Sequence, residues 1–143
     1  MQPYDWSRVL ASYRTPTVSR AFFELTVTLV PFGILWVLAW AAISVSTLLA
    51  VCLALVNAGF LLRLFMIQHD CGHGSFLRHR KAGDWIGRVL GVLTLTPYDV
   101  WRQNHSTHHA TSGNLDRRGI GDVPTLTVQE YGARSSIGRL RYR

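Results

Sequence analysis

From Leu25 to Leu62 the chain carries no charged residue for 38 positions. One crossing of a bilayer needs about 20 apolar residues, so this length fits two spans joined by a tight turn. Ser44-Val45-Ser46 is the least apolar place near the middle. The pattern predicts a first span over residues 22–43 and a second over 46–66. Glu24 falls at the interfacial end of the first span, and Pro31 lies inside it as a candidate kink. Asn57 and Gly59 suit contact between the second span and a neighbouring helix. Ala39-Trp40-Ala41 imitates a signal-peptide cleavage site, but the apolar run continues straight into a second span, which favours an uncleaved hairpin.

The flanks repeat the helical period on a smaller scale. Trp6, Val9, Leu10 and Tyr13 have i, i+3, i+4, i+7 spacing, which fits a short amphipathic surface helix; a frayed terminus is the alternative. Trp85 to Pro97 is apolar but only 13 residues long and is interrupted by Arg88, so it suits a re-entrant or interfacial helix. Pro97 is placed to start a further helix through Trp101 to His109. Residues beyond Thr111 are polar and Gly-rich. The predicted fold is all-α and integral to a membrane: one transmembrane hairpin, then cytoplasmic and interfacial helices.

Charge orients that hairpin. The formal net charge is +7, which by itself raises the question of nucleic acid. The basic residues instead flank the apolar runs, and no nucleic-acid motif is present, so no nucleic-acid partner is expected. Arg8, Arg14 and Arg20 precede the spans, Arg63, Arg78, Arg80, Lys81 and Arg88 follow them, and the turn has no charge. The positive-inside rule then puts both ends in the cytoplasm.

The candidate chemistry lies between Gln68 and Asn114, which hold all six histidines. His69 and His73 are spaced H-x-x-x-H; His105, His108 and His109 are spaced H-x-x-H-H. At about 100° per residue each group falls on one helix face. Neutral imidazoles at such spacing read as metal ligands, although imidazole suits iron, zinc, copper and nickel alike. His79 lies within Arg78-His79-Arg80-Lys81, where positive charge disfavours a cation, and reads as a surface residue. Cys71 is offset from His69 by about 200° on a helix and reads as a non-ligand. Cys52 lies within the apolar run and reads as inert packing. If one helix joins the two cysteines, about 28 Å separates them, too far for a disulfide. Asp116 and Asp122 are candidates to accept hydrogen bonds from imidazole N–H groups, or else are loop carboxylates paired with Arg117 and Arg118.

His69-Asp70-Cys71-Gly72-His73-Gly74-Ser75-Phe76 resembles the first histidine box of membrane fatty acid desaturases, and Asn104-His105-Ser106-Thr107-His108-His109-Ala110 resembles their second. Ser112 to Asp122 resembles the bacterial and plastid-like Δ12 (omega-6) branch. The resemblance implies a di-iron enzyme that uses oxygen and two electrons to place a cis double bond in an acyl chain. It implies His69, His73, His105, His108 and His109 as iron ligands, an acyl-lipid or acyl-thioester substrate, and a ferredoxin or cytochrome b5-like electron donor. Trp101 is a candidate to border the acyl chain. The family has a third H-x-x-H-H box after a second pair of spans, whereas no histidine follows His109 here. Residues 1–143 are therefore expected to be the N-terminal portion of one desaturase domain, with an incomplete ligand set and no desaturation on their own. Two other readings stay open: a related membrane di-iron hydroxylase of alkanes, sterols or carotenoids, and a non-enzymatic metal-binding membrane protein.

The flanking charges make a topological prediction. Reporter fusions at Arg20 and at Arg80 should both give a cytoplasmic signal, and a signal from the opposite side at either position contradicts the orientation.

Overall fold

A computed structural model of the chain describes residues 10–11, 15–119, 121 and 123–143. The described elements are helical, and no strand occurs among the described residues. The chain divides into two compact units, Met1–Asp99 and Val100–Arg143. Trp6, Val9 and Tyr13, three of the four residues of the expected N-terminal surface helix, lie outside the described residues.

The first unit is built on two long helices, α1 (Val18–Ala42) and α2 (Thr47–His73), joined by residues 43–46. Both are long and apolar enough to cross a membrane. α1 runs on through Pro31. Ser46 caps α2, its hydroxyl accepting from the Leu49 amide at 3.4 Å. The helices pack through small or polar positions: Ala21, Thr28, Ala42, Ala50 and Asn57 are buried. Small side chains let backbones approach where lipid supplies no hydrophobic drive. The large apolar residues face outward, among them Phe22, Trp36, Trp40, Leu48, Leu55 and Leu62. An apolar surface this extensive belongs against lipid rather than water, and the chain is membrane-associated. Cys52 shares that outer surface and so is not packed in the interior as expected, while Cys71 is buried.

One charged contact joins the two long helices. The Arg63 guanidinium meets the Glu24 carboxylate, and its Nε donates to the Thr28 hydroxyl at 2.9 Å. Thr28 is fully buried and donates in turn to the Glu24 carbonyl at 2.6 Å. Arg63 ends the charge-free run, so its one acidic partner across the helix pair is the residue that just precedes that run.

α2 does not stop where the apolar span was predicted to end. It continues through the first histidine group and closes at Gly74, whose φ of 71° is the left-handed conformation that glycine adopts freely. A Cβ at Gly74 would lie 2.0 Å from the Arg80 guanidinium, which donates to the Gly72 carbonyl at 2.9 Å.

α3 (Arg80–Leu93) then packs on α2. It starts earlier than the Trp85–Pro97 apolar run, because His79 caps it: Nδ1 accepts from the Ala82 amide at 3.3 Å. Gly83, Gly87, Leu90 and Gly91 form its buried face; Trp85, Val89 and Val92 point outward. Gly87 makes room for the Tyr98 ring, and Gly91 for the backbone at Thr96. A Cβ at Gly87 would lie 2.3 Å from the Tyr98 ring, and one at Gly91 would lie 2.6 Å from the Thr96 carbonyl oxygen. The buried Tyr98 hydroxyl donates to Asp84 at 2.7 Å.

α4 (Tyr98–Thr111) begins one residue after Pro97, with Asp99 in its first turn. That carboxylate suits the positive end of the helix and accepts two hydrogen bonds from Arg88, at 2.9 and 3.1 Å. The Asp99 carboxylate holds the Arg88 pKa above its ordinary value, first through these bonds and then through its charge.

The second unit begins inside α4 and continues through a 3-10 turn (Leu115–Arg117) to α5 (Val128–Gly132) and α6 (Ser136–Tyr142). Thr127 and Glu130 form a reciprocal capping box at α5. The Thr127 amide, then Arg118, hold the Glu130 carboxyl down at about 2. The Tyr142 hydroxyl accepts from the Leu126 amide at 3.0 Å, which folds α6 back on the segment before α5.

Two stability predictions follow from this packing. Arg63 and Glu24 are partly exposed, so Glu24→Gln, which leaves Arg63 without its counter-charge, should cost about 1 kcal/mol or less; denaturant unfolding in detergent measures it. On α3, Gly91→Ala should cost about 1–3 kcal/mol through overpacking. Gly83→Ala, where a Cβ meets nothing within 4 Å, should instead stabilise by up to about 1 kcal/mol.

Candidate metal centre

Each histidine group sits on a helix that presents its imidazoles in pairs. On α2, the Nε2 atoms of His69 and His73 lie 3.3 Å apart, with ring centroids separated by 4.5 Å. On α4, the Nε2 atoms of His105 and His109 lie 3.0 Å apart. Both pairs are i, i+4, as the helical period requires. Two nitrogens at about 2.0–2.1 Å from one ion, the usual imidazole–metal length, are separated by about 3.0 Å at a right angle, so both observed spacings fit a shared cation. Each pair therefore has the donor chemistry and spacing for a metal within its own unit.

The surroundings of the first pair are well defined. His69 is half-buried and His73 exposed, while Gln68 and Cys71 on the same turn are buried. The Cys71 thiol thus occupies the protein side of α2, in keeping with its offset from the imidazoles. The Asp70 carboxylate lies 3.6 Å from His69 Nδ1, the ring nitrogen turned away from the pair. A cleft of about 980 Å³ opens beside His73, lined by Met66, Ile67 and Phe76 and, further along, by Arg20, Glu24 and Arg63.

In the second unit, Trp101 stacks on His105 with centroids 4.7 Å apart and planes inclined by 16°. The indole therefore backs a candidate ligand. His108 is half-buried and stands beside the Nε2 pair, 6.1 Å from the His105 centroid and 5.6 Å from that of His109. The backbone at Gly121 approaches it: a Cβ there would lie 3.4 Å from His108 Cβ. Asp116 is exposed in the 3-10 turn and its amide donates to the Asn114 side chain; Asp122 lies outside the described residues. Arg118 pairs with Glu130, at 3.0 Å.

One buried residue beside the histidines carries no charge and no catalytic signature in sequence. Gln68 is fully buried, and both ends of its amide are engaged. Thr94 donates its hydroxyl to Gln68 Oε1 at 2.6 Å, and Gln68 Nε2 donates to the Thr96 carbonyl at 3.3 Å. These contacts link residues 26 and 28 positions apart, beyond the reach of local periodicity. The Gly87-x-x-x-Gly91 spacing is a signal by which the close approach to one face of α3 could have been found, and the i, i+4 spacing of Trp101 and His105 is the signal that could have found their stacking.

The sequence profile described as "Fatty acid desaturase" matches residues 46–136. The chain is similar to a protein named "Fatty acid desaturase" from Bacillus subtilis (strain 168), 44% identical over 137 residues, which cover 96% of this chain and 39% of the relative. It is also similar to "sn-1 acyl-lipid omega-3 desaturase (ferredoxin)" of Synechocystis sp., 49% identical over 53 residues, covering 37% of this chain and 15% of that protein. An endoplasmic reticulum omega-3 fatty acid desaturase of Vigna radiata is 44% identical over 54 residues, covering 38% and 14%. The chain thus spans less than half the length of each of these relatives. No solved structure matches it.

Proposed function

This chain belongs to the fatty acid desaturase family, and on that premise we propose that it is the N-terminal portion of an oxygen-dependent acyl-lipid desaturase domain, with His69, His73, His105, His108 and His109 as ligands of a di-iron centre. The observation that carries this reading is the pairing of imidazole nitrogens at 3.3 and 3.0 Å on helices that carry the family's two histidine motifs. Bound iron would supply, from oxygen and two electrons, the oxidising power to break an unactivated C–H bond, for which no side chain is a sufficient acid or base.

The chain's own residues bind and position. α1 and α2 cross the bilayer as a hairpin with both ends cytoplasmic, so His69 and His73 meet the acyl chain at the membrane surface. The cleft beside His73 offers an apolar wall of Met66, Ile67 and Phe76 to an acyl chain, with Arg20, Glu24 and Arg63 near a polar head. Trp101 fixes the orientation of the His105 ring by stacking and shields it from water. His79, capping α3, takes no part in the centre. The substrate is an acyl lipid and the electron donor a ferredoxin, as the names of two cyanobacterial relatives say of those proteins; acyl-thioesters and cytochrome b5-like donors are the competing choices. The Ser112–Asp122 run favours Δ12 insertion, against the omega-3 chemistry named in several relatives.

In the complete protein, His73→Ala or His108→Ala should abolish turnover in a host lacking its own Δ12 activity, while His79→Ala should keep most of it; gas chromatography of host lipids measures each. Equal loss in His79→Ala contradicts the ligand assignment. Omega-3 products contradict the branch assignment, and hydroxylated products the reaction class.

A further inference from the structure

The turn of α2 that carries His73 is poor in helix-forming residues. His73 stands between Gly72 and Gly74, and glycine loses more backbone freedom on folding than any other residue, which weakens a helix. His69 and His73 can share a cation only while this turn keeps its helical shape, since their Nε2 atoms lie 3.3 Å apart as an i, i+4 pair. The carbonyls near the end of α2 find partners beyond the helical ladder. Asp70 accepts from the Ser75 amide at 3.0 Å and from its hydroxyl at 3.1 Å, and Cys71 accepts from the Gly74 amide at 3.0 Å. Those donors belong to the adjoining loop. Gly72 accepts instead from another helix: Arg80, at the start of α3, donates to it from Nη2 at 2.9 Å. The guanidinium fills the space that a side chain at position 74 would need, so the left-handed Gly74 both ends α2 and admits Arg80. Arg80 is tied in turn to the body of α3. Its Nε lies 3.5 Å from the Asp84 carboxylate, which accepts from the hydroxyl of buried Tyr98 at 2.7 Å. All of these residues belong to the first unit.

We propose that Arg80 is a positioning residue of the first histidine pair: its guanidinium braces the glycine-flanked last turn of α2 against α3 and so keeps His73 within reach of a cation bound by His69. This role rests on the reading that the pair binds metal, and it needs nothing from the second unit. The forked guanidinium suits it, donating to Gly72 from one nitrogen while another faces Asp84; an ammonium is a single point charge without that fixed geometry. Charge alone works in the other direction. A positive group beside a cation site repels the metal, so a loss of affinity on removing Arg80 cannot come from its charge.

The test is Cu(II) binding to the purified full chain in detergent, carrying His105→Ala, His108→Ala and His109→Ala so that the first pair alone responds. Electron paramagnetic resonance counts the coordinated nitrogens, and far-UV circular dichroism reports helix content and melting. The parent should show two nitrogens. Arg80→Met, at unchanged helix content, should weaken binding about 10-fold or more, the usual effect of removing a group that orients ligands, and should leave one coordinated nitrogen. A merely stabilising ion pair would lower the melting temperature and move neither the affinity nor the nitrogen count. If Arg80→Met does not fold, Arg80→Lys keeps the charge opposite Asp84 but loses the fork, and should show the same change to a smaller degree. Unchanged or tighter binding in folded Arg80→Met overturns the proposal, and so does unchanged binding in Arg80→Lys where only that variant folds. The two failures are separable. If His73→Ala removes one nitrogen and the Arg80 variant does not, the role of Arg80 alone is wrong. If His73→Ala binds as the parent does, the pair is not a metal site, and the role of Arg80 falls with that reading.

Discussion

The structure depends on the length of α2 relative to the membrane. Its 27 residues rise about 40 Å, whereas the hydrocarbon layer is about 30 Å thick. A helix cannot shed its hydrogen-bond ladder inside lipid, because each freed backbone group would cost several kcal/mol, on the order of the penalty for an unpaired amide. On the proposed topology α2 would emerge intact and carry its last two turns, with His69 and His73, into the interfacial region. The same rigidity keeps their Nε2 atoms 3.3 Å apart. On the proposed reading a membrane span and a ligand platform are one element, α2.

Three polar contacts stand out around α2, where apolar packing against lipid distinguishes no arrangement from another. Arg63 with Glu24 and Thr28 sets the register of α1 on α2. Gln68 with Thr94 and Thr96 sets the turn after α3. Tyr98, seated over Gly87 with its hydroxyl on Asp84, fixes the start of α4. Each contact satisfies groups that would otherwise be buried without a partner, so each discriminates strongly between the right packing and a shifted one.

Much of this was legible in the amino-acid sequence because it follows from local periodicity and solvent preference. The charge-free run announced two long helices, and the turn at residues 43–46 fell where Ser44-Val45-Ser46 placed it. The i, i+4 histidines had to share helix faces. Other features were not legible because they depend on residues far apart in the chain. Nothing near His79 announced a capping role; its position in a basic run only argued against metal. Cys52 read as packed, since an apolar run does not say which of its faces meets lipid. Leu95 gave no sign of a left-handed backbone, a conformation for which leucine has no propensity and which tertiary contacts impose. Nothing in the sequence singled out Gln68, and only the fold revealed the two threonines it joins.

The central claim, that α2 is a single helix which leaves the membrane before His69, is open to direct measurement. Single spin labels placed in turn along residues 58 to 74, in bilayers, report collision with oxygen and with a water-soluble nickel chelate. The account predicts one unbroken helical period of about 3.6 residues through residue 73, with nickel accessibility overtaking oxygen accessibility between Met66 and His69. A break in the period near residue 67, or oxygen-dominated collisions persisting at His69 and His73, would contradict it.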